Sequence, residues 1–234
     1  MANEAKSAFG DDTVYVEKFF SPAPRHIEVQ ILGDRFGNVV HLGERECSLQ
    51  RRFQKIVEET PCAVISGDLR QRMGEAAVAL ARSIGYQSVG TIECLVTDDG
   101  EFYFLEMNTR LQVEHPVTEE GVDLVAEMVR VAAGLPLSVP ANGIGPRGHA
   151  IEVRVYAEDP ARGFMPSPGQ ITRMDIPELP NLRLDAGARV GSNITVYYDP
   201  LIAKLTAWGA DRDAALTTMR DALAESVIEG VKTN

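Results

Sequence analysis

The sequence predicts an α+β fold in which strands joined by hairpins form a sheet and helices pack on it. Two turn signals indicate the hairpins. Residues 34–38 read Asp-Arg-Phe-Gly-Asn between two alternating segments, and Asp99-Gly100 is a strong two-residue hairpin signal. Helices are indicated where apolar residues recur at helical spacing, most clearly from Leu69 to Ile84.

In the first half we expect three helices separated mainly by strands. The first closes at Gly10. The second begins at the N-cap Ser66, whose side chain can accept a free backbone N–H, and stops at Gly85; the third closes at Gly134. The expected strands lie at residues 13–20, 27–33, 38–43, 91–96 and 102–116, with a polar, basic stretch at 44–59 and the third helix over 118–133.

The second half is expected to be a separate domain. Residues 136–148 are rich in proline and glycine, so we place a boundary there and divide the chain into residues 1–135 and 136–234. Asp211 should cap a final helix that closes at Gly230. The expected strands lie at residues 150–157, 170–174, 182–185 and 196–208.

Five polar side chains alternate along the strand expected at residues 102–116. Because successive side chains of a strand point to opposite faces, all five share one face and the apolar residues between them share the other. A solvated strand face rarely combines carboxylates, amides and a guanidinium in this way. The five residues are Glu106, Asn108, Arg110, Gln112 and Glu114.

Pairing across the hairpin predicts a metal site. With Asp99 and Gly100 as the turn residues, Glu93 lies directly opposite Glu106, with Asn108 one diagonal step away. Like charges in that position destabilise a sheet unless they share a proton or a cation. Two carboxylates and an amide oxygen form a hard ligand set that suits Mg²⁺ or Mn²⁺ bound together with substrate phosphates.

The composition and charge limit the classes of partner and the cellular compartments that we expect. A formal net charge of −11 argues against nonspecific nucleic-acid binding, which needs a basic surface. No run approaches the length of a membrane span and the start shows no secretory signal, so we expect no membrane partner. The three cysteines lack metal-ligand spacing and are typical of reduced thiols. We therefore expect a cytoplasmic protein, with the mitochondrial matrix as the alternative.

Residues 106–119, Glu-Met-Asn-Thr-Arg-Leu-Gln-Val-Glu-His-Pro-Val-Thr-Glu, resemble the signature of biotin carboxylases. This family is the ATP-grasp component of acetyl-CoA, propionyl-CoA, methylcrotonyl-CoA and pyruvate carboxylases. The resemblance extends over essentially the whole chain, because further family-like segments follow in the right order. These segments are residues 17–20, 24–26, 44–52, 147–150, 157–160, 166–169 and 197–200.

The resemblance implies the C-terminal part of an ATP-grasp antiparallel sheet with helices, followed by a truncated, mixed β/α biotin carboxylase C-terminal domain. It implies a ligase that uses ATP and bicarbonate to carboxylate biotin on a carrier protein through carboxyphosphate. That reaction is the first half-reaction of an acetyl-CoA or propionyl-CoA carboxylase, as in fatty acid biosynthesis. The implied partners are a biotin carboxyl carrier protein or domain and a carboxyltransferase component. The full-length protein to which this chain would belong, called the parent below, is also expected to form a homo-oligomer.

The resemblance also assigns roles to matching residues. Glu93, Glu106 and Asn108 would hold Mg²⁺ or Mn²⁺, with two ions expected, on the ATP phosphates. Glu114 would be the general base that deprotonates bicarbonate. The bicarbonate ligands would be Lys55, Arg110, Gln112 and the backbone N–H of Val113. Arg154 would stabilise the biotin enolate. Adenine would be bound along Glu17, Lys18, Phe19 and Phe20, with His26, Gln50 and Leu95 lining the nucleotide pocket.

Two departures accompany the resemblance. Phe53 stands where many relatives carry His or Asn beside the nucleotide, and a Phe side chain cannot hydrogen-bond a ribose or a phosphate. The chain also lacks segments resembling the N-terminal domain and the glycine-rich ATP lid. We therefore expect a fragment that does not turn over ATP by itself.

Other interpretations remain open from the sequence. Taken singly, Lys55, His26, Arg154 and the Glu17-Lys18 pair could each be an ordinary surface or structural residue. The parent could be a pyruvate carboxylase or another ATP-grasp ligase, such as the large subunit of carbamoyl-phosphate synthase. The latter would share the metal-binding acids but not the second-half motifs. A noncatalytic assembly module is the alternative of a different class.

Overall fold

The structure is a computed structural model that describes residues 1–119, 121–140, 143 and 147–234. Four α-helices occur in the described chain: α1 Ala2–Phe9, α2 Gly67–Ser83, α3 Leu124–Ala132 and α4 Arg212–Glu225. Its strands are β1 Arg25–Gly33, β2 Val39–Arg51, β3 Gln54–Thr60, β4 Ser88–Val96, β5 Phe102–Asn108, β6 His149–Tyr156, β7 Glu158–Asp159, β8 Met165–Pro166, β9 Gly169–Gln170, β10 Arg173–Asp175, β11 Leu182–Ala186, β12 Asn193–Ile194, β13 Leu201–Gly209 and β14 Val227–Glu229.

An eight-stranded sheet organises the molecule, with the strand order β11-β13-β6-β3-β2-β1-β4-β5. Every neighbouring pair in it is antiparallel. The predicted α+β class, an antiparallel sheet with helices, is therefore confirmed. Each of the three remaining sheets contains two short strands from the second half of the chain.

Alternation along β1 separates the two faces of the sheet. Ile27, Val29 and Ile31 point to one face and pack in a buried cluster with α2. His26, Glu28 and Gln30 alternate with them, and a strand must therefore direct these polar residues to the opposite face. β6 repeats the arrangement: its apolar residues 151, 153 and 155 pack against α4, so its polar residues share the face with those of β1.

The two helices on the apolar face begin at the expected caps. The Ser66 hydroxyl accepts the backbone N–H of Leu69 at the start of α2, and the Asp211 carboxylate accepts that of Ala214 at the start of α4. Such contacts satisfy donors that the first helical turn leaves free. α1 also ends at Gly10, whose backbone is left-handed, as predicted.

The polar face is covered by different elements. α3 packs over one end, where Leu124 meets the apolar cluster that contains Leu32 and Leu42. The 3₁₀ helix His115–Thr118 lies beside β2, β3 and β6. Because these elements keep solvent from the polar side chains beneath them, charges on this face interact strongly.

The predicted strand at residues 13–20 is wrong. This segment has no strand structure and is mostly exposed, and among the described residues no strand pairs with it. The polar, basic stretch at 44–59 is instead a hairpin of β2 and β3. Its turn places Arg52 and Phe53 at positive φ, without the Gly or Asn that usually indicates such a turn. The sequence therefore offers no hairpin signal there.

Several helix and strand limits after residue 118 differ from the predictions. The expected strand at 196–208 begins only at Leu201, because the Asp199 carboxylate accepts the Leu201 N–H in a local turn. The strand expected at 170–174 is divided between β9 and β10, which pair with β12 and β14 respectively. α4 ends before Gly230 because residues 227–229 pair with β10. α3 begins later than expected, at Leu124, after the 3₁₀ helix.

The main sheet continues across the predicted domain boundary. β3 from the first half pairs with β6 from the second, with Glu58 opposite Glu152. Residues 141, 142 and 144–146 of the proline- and glycine-rich stretch lie outside the described residues. Within the described chain, none of the helices is long and apolar enough to cross a membrane.

Candidate active site

Four charged residues form a row across the polar face of the sheet. Glu28 on β1 lies directly opposite Arg45 on β2 and, on its other side, opposite Glu93 on β4. Glu93 in turn lies opposite Glu106 on β5. Antiparallel pairing of four consecutive strands therefore places a guanidinium and three carboxylates side by side.

The predicted pairing of Glu93 with Glu106 is confirmed, although the predicted turn is one residue too short. Thr97 pairs with Glu101 through a backbone hydrogen bond, so Asp98 lies in the turn with Asp99 and Gly100. An irregularity between Glu93 and Cys94 then restores the predicted register. Such a bulge places an extra residue on one strand and so compensates for the longer turn.

Lys55 joins three carboxylates at the centre of this face. Its Nζ lies 2.5 Å from Glu28, 3.0 Å from Glu93 and 2.6 Å from Glu114. Burial opposes the charged form of Lys55, but the carboxylates, with Glu28 first, outweigh it and raise the pKa of the ammonium. Lys55 is therefore the common counter-ion of the cluster.

Two of the acids around Lys55, Glu93 and Glu114, are held ionised. Burial would raise the pKa of Glu93, but the hydrogen bond from His26 and the Lys55 charge lower it to about 2. For Glu114, burial is likewise outweighed by the charges of Arg45, Lys55 and Arg154, which lower its pKa. Both carboxylates are thus anions over the physiological pH range.

The strand predicted over residues 102–116 ends at Asn108, so the period-two pattern does not position its last three polar residues. The Arg110 side chain is exposed and donates to the Asn108 amide oxygen over 3.0 Å. Gln112 and Glu114 reach the polar face from the irregular segment that follows. There Gln112 donates to Glu93 over 2.8 Å, and Glu114 contacts Lys55.

The three predicted metal ligands lie together. The Asn108 amide nitrogen is 3.2 Å from the Glu93 carboxylate and 3.0 Å from that of Glu106. Glu106 is exposed and, among the described residues, forms no ion pair. Its carboxylate, whose hydrogen bond among the described residues comes from Asn108, and the neighbouring Glu93 fit a hard divalent cation, because such ions prefer carboxylate and amide oxygens. The Asn108 amide would turn over to present its oxygen.

The residues expected to line a nucleotide pocket form two neighbouring groups. Lys18, Phe19 and Phe20 line a cavity of about 490 Å³ beside the β4–β5 turn, where Phe20 packs on the Tyr103 ring. Glu17 is exposed and does not line this cavity.

The second group meets at the start of β1. His26 lies opposite Leu95 in the sheet, and its Nδ1 is 2.8 Å from the Gln50 amide. The other ring nitrogen of His26 contacts Glu93 over 2.8 Å, which connects this group to the charged row.

Arg154 on β6 brings the second half of the chain into the site. Its guanidinium lies 2.9 Å from Glu114 and 2.5 Å from Glu58. Val113 contacts the second half as well, since its carbonyl accepts from Lys204 on β13. Glu114 thus lies between Lys55 from the first half and Arg154 from the second.

The sequence interpretation missed several buried members of this site. Glu28, Arg45, Glu58 and Glu152 all lie on its polar face and are almost inaccessible to solvent. A signal was present on β1, where Glu28 and Gln30 alternate with three β-branched residues. Polar residues in such an alternation normally indicate a solvated face, so the pattern alone could not show that they are buried.

Comparisons with known proteins agree with this geometry. The profile of the carbamoyl-phosphate synthase L chain ATP-binding domain matches residues 1–139, and that of the biotin carboxylase C-terminal domain matches residues 152–234. The chain belongs to the biotin carboxylase family of ATP-grasp proteins. The second-half match also distinguishes this biotin carboxylase chain from a carbamoyl-phosphate synthase, as the sequence motifs predicted.

Relatives in curated collections are longer than this chain. The mitochondrial propionyl-CoA carboxylase alpha chain of Homo sapiens is 54% identical over 237 aligned positions, which cover 100% of this chain and 32% of the relative. A biotin carboxylase of Nostoc sp. is 51% identical, with coverage of 98% and 52% respectively. The chain therefore spans about a third to a half of the relatives that it matches.

A solved structure shows the same fold. The biotin carboxylase domain dimer of Hydrogenobacter thermophilus 2-oxoglutarate carboxylase, in complex with MgADP, ADP and bicarbonate, superposes with a TM-score of 0.93. Its sequence is 47% identical, and the match covers 99% of this chain and 51% of that one.

Two facing acids in this biotin carboxylase chain behave differently from Glu93 and Glu114. Glu58 and Glu152 lie opposite each other on β3 and β6, and both are buried. Burial raises the pKa of Glu58 to about 7 despite the nearby Arg154 charge. Burial and the facing Glu58 raise the pKa of Glu152 to about 8. The pair therefore retains protons near neutral pH.

This pair predicts a pH-dependent stability. A carboxyl group whose pKa is raised on folding stabilises the fold while it is protonated, and this contribution is lost as the pH rises from the unfolded value of 4.5 through about 8. Glu152→Gln replaces the ionisable carboxyl group with a neutral amide, so the variant should not lose this stability as the pH rises. We expect the melting temperature of the variant to match the unsubstituted chain at pH 5 and to exceed it by roughly 2–4 °C at pH 8.5.

Thermal unfolding monitored by circular dichroism across this pH range provides the measurement. Glu225→Gln, which changes an exposed acid on α4, is the matched control and should give parallel curves. Equal melting temperatures for Glu152→Gln and the unsubstituted chain at pH 8.5 would show that ionisation of Glu152 does not destabilise the fold.

Proposed function

We propose that the parent of this chain is a biotin carboxylase that uses ATP and bicarbonate to carboxylate biotin on a carrier protein. The observation that supports this most directly is the arrangement around Glu114. A buried acid, with Lys55 on one side and Arg154 on the other, joins two chain segments that match successive parts of biotin carboxylase. The named activities of the relatives and the bicarbonate and MgADP of the solved structure agree with it.

Glu93, Glu106 and Asn108 would hold Mg²⁺ or Mn²⁺, with two ions expected, at the ATP phosphates. A bound divalent ion would neutralise charge that develops on the transferred phosphoryl group. Glu106 is free to turn towards such an ion. Glu93 is already ionised and remains so when Lys55 moves, because the His26 contact persists on its second oxygen.

Lys55, Arg110, Gln112 and the Val113 backbone would bind bicarbonate beside Glu114. Lys55 forms ion pairs with three carboxylates in this structure, so an arriving anion would compete with them for its ammonium group. When Lys55 turns towards bicarbonate, Glu114 loses one of the cations that lower its pKa. Glu114 then becomes a stronger base at the moment when bicarbonate must lose a proton. Bicarbonate would next attack the γ-phosphate of ATP and form carboxyphosphate.

The nucleotide would lie along the cavity lined by Lys18, Phe19 and Phe20, near His26, Gln50 and Leu95. Glu17 is a weaker candidate for that contact, because it does not line the cavity. Arg154 would stabilise the biotin enolate that captures carbon dioxide. Because Arg154 lies beside Glu114, biotin and bicarbonate would meet at the same point of the site.

The partners follow from the same proposal. Biotin would arrive on a carboxyl carrier protein or domain and leave for a carboxyltransferase component, and the parent would be a homo-oligomer. The final acceptor would be acetyl-CoA or propionyl-CoA, with pyruvate as the alternative. The division into residues 1–135 and 136–234 stays a prediction, and so does a cytoplasmic location, since the human relative is named as mitochondrial.

The direct test is ATP cleavage by the purified full-length parent. Phosphate release should require bicarbonate and a divalent ion, and free biotin should accept the carboxyl group. Release that is indifferent to bicarbonate would rule out the proposed reaction.

Glu106→Gln tests the metal assignment. It removes one charged ligand while leaving the shape of the exposed side chain, so we expect metal-dependent ATP cleavage by the parent to fall about tenfold or more. The control is Glu101→Gln, an exposed acid directly before β5 in the same hairpin, which should leave the rate unchanged. The assignment fails if Glu106→Gln retains both the rate and the dependence on metal concentration.

Glu114→Gln tests the assignment of the base. The substitution removes the proton acceptor but no expected nucleotide contact, so kcat should fall by about a hundredfold while ATP binding stays within about twofold. Glu44→Gln is the matched control, because Glu44 is also a buried acid in an ion pair, with Arg70 at 2.7 Å. A preserved kcat with a raised KM for ATP would exclude Glu114 as the base.

A further inference from the structure

We infer that Arg45 is a positioning residue that orients the Gln112 amide so that its N–H group faces the bicarbonate site. The inference rests on the proposed function, because bicarbonate is the anion concerned. Arg45 lies at the inner end of the charged row and is fully buried. It reaches the bicarbonate site only through the residues that it hydrogen-bonds.

The Arg45 guanidinium uses every donor that it has. An arginine side chain carries five N–H groups in a planar fork. Here they meet five oxygen atoms, none of which comes from the backbone, on five different residues. Nε donates to Glu28, Nη1 to Gln30 and Thr118, and Nη2 to Thr91 and Gln112.

This fork defines which way the Gln112 amide points. The Gln112 Oε1 accepts from Arg45 over 2.8 Å, so the amide oxygen faces the interior of the sheet. Its Nε2 then faces the other way and donates to Glu93 over 2.8 Å. An amide nitrogen has two hydrogens, and among the described residues only this one hydrogen bond uses them. A second donor is left for an anion beside Lys55.

The opposite orientation would weaken anion binding. If the amide turned over, its oxygen would face Glu93 and the bicarbonate site, and two N–H groups would face the Arg45 donors. Both contacts would then be repulsive, and buried donors without acceptors destabilise a structure. Arg45 itself cannot bind the substrate, since its fork is fully occupied and inaccessible. Its effect on bicarbonate therefore passes through Gln112.

The test uses the full-length parent and compares KM for bicarbonate with KM for ATP. Arg45→Lys keeps the charge but offers three donors instead of five, which releases the Gln112 oxygen. We expect KM for bicarbonate to rise about tenfold and KM for ATP to change less than about twofold. Thr118→Val is the matched control, because it removes another hydrogen bond of the same guanidinium without touching Gln112. It should lower thermal stability but leave KM for bicarbonate unchanged.

A second variant keeps the inference testable if Arg45→Lys does not fold. Gln112→Met removes the amide at similar volume and should raise KM for bicarbonate about as much as Arg45→Lys. The double variant should show no further rise, because the two residues act through one contact. Unchanged KM for bicarbonate in Gln112→Met, or equal effects of Arg45→Lys and Thr118→Val, would overturn the role of Arg45.

The unsubstituted parent distinguishes the two levels of failure. If it shows no bicarbonate-dependent ATP cleavage, the proposed function is wrong. If it shows that activity but the variants leave KM for bicarbonate unchanged, only the inference about Arg45 is wrong.

Discussion

The buried ion pairs of Glu28 are the constraint on which the rest of this site depends. This carboxylate is inaccessible to solvent and lies between the Arg45 guanidinium and the Lys55 ammonium. An isolated charge in that place would be strongly unfavourable, whereas a charge with complete hydrogen-bonded partners is tolerated. Because both cations also contact other groups, Glu28 holds Lys55 near Glu114 and Arg45 near Gln112. Its place on β1 thereby links the Glu93 end of the polar face with the Glu114 end.

Exclusion of solvent gives neighbouring glutamates different protonation states. Glu93 and Glu114 face cations and remain ionised, whereas Glu58 faces Glu152 and that pair retains protons. All four are buried on the same face of the sheet. The balance between burial, which raises the pKa of each acid, and the cations and hydrogen-bond donors around it therefore decides which of them is ionised; at Glu58 burial prevails even though Arg154 lies beside it.

The sheet also explains how two matched segments act as one site. β3 and β6 are neighbours, although they come from opposite sides of the proline- and glycine-rich stretch. Arg154 on β6 therefore reaches Glu114 on the first-half segment, and Lys204 on β13 reaches the Val113 carbonyl. A site divided between segments in this way needs both of them folded together. This dependence is a physical reason why the two matched segments follow one another in a single chain.

Local sequence signals determined the elements that depend on nearest neighbours. The capping side chains of Ser66 and Asp211 begin the predicted helices. The Asp99-Gly100 signal marks the hairpin correctly, but the pairing of Glu93 with Glu106 also needs the irregularity beside Glu93, which has no sequence signal. The family motifs also identified Lys55 and Arg154, which no local pattern distinguishes from surface residues. These features could be predicted because each depends on a few adjacent residues or on motifs that follow one another along the chain in the family order.

Only the tertiary structure decided which polar residues are buried and with what partners. The alternation of β1 predicts two faces, but not that 3₁₀ residues from a distant segment cover the polar one. The strand expected to carry Arg110, Gln112 and Glu114 ends at Asn108, and Gln112 and Glu114 reach the site because Arg45 and Lys55 bind them. Such contacts join residues far apart in the chain, and their strength comes from desolvation, which no local pattern encodes.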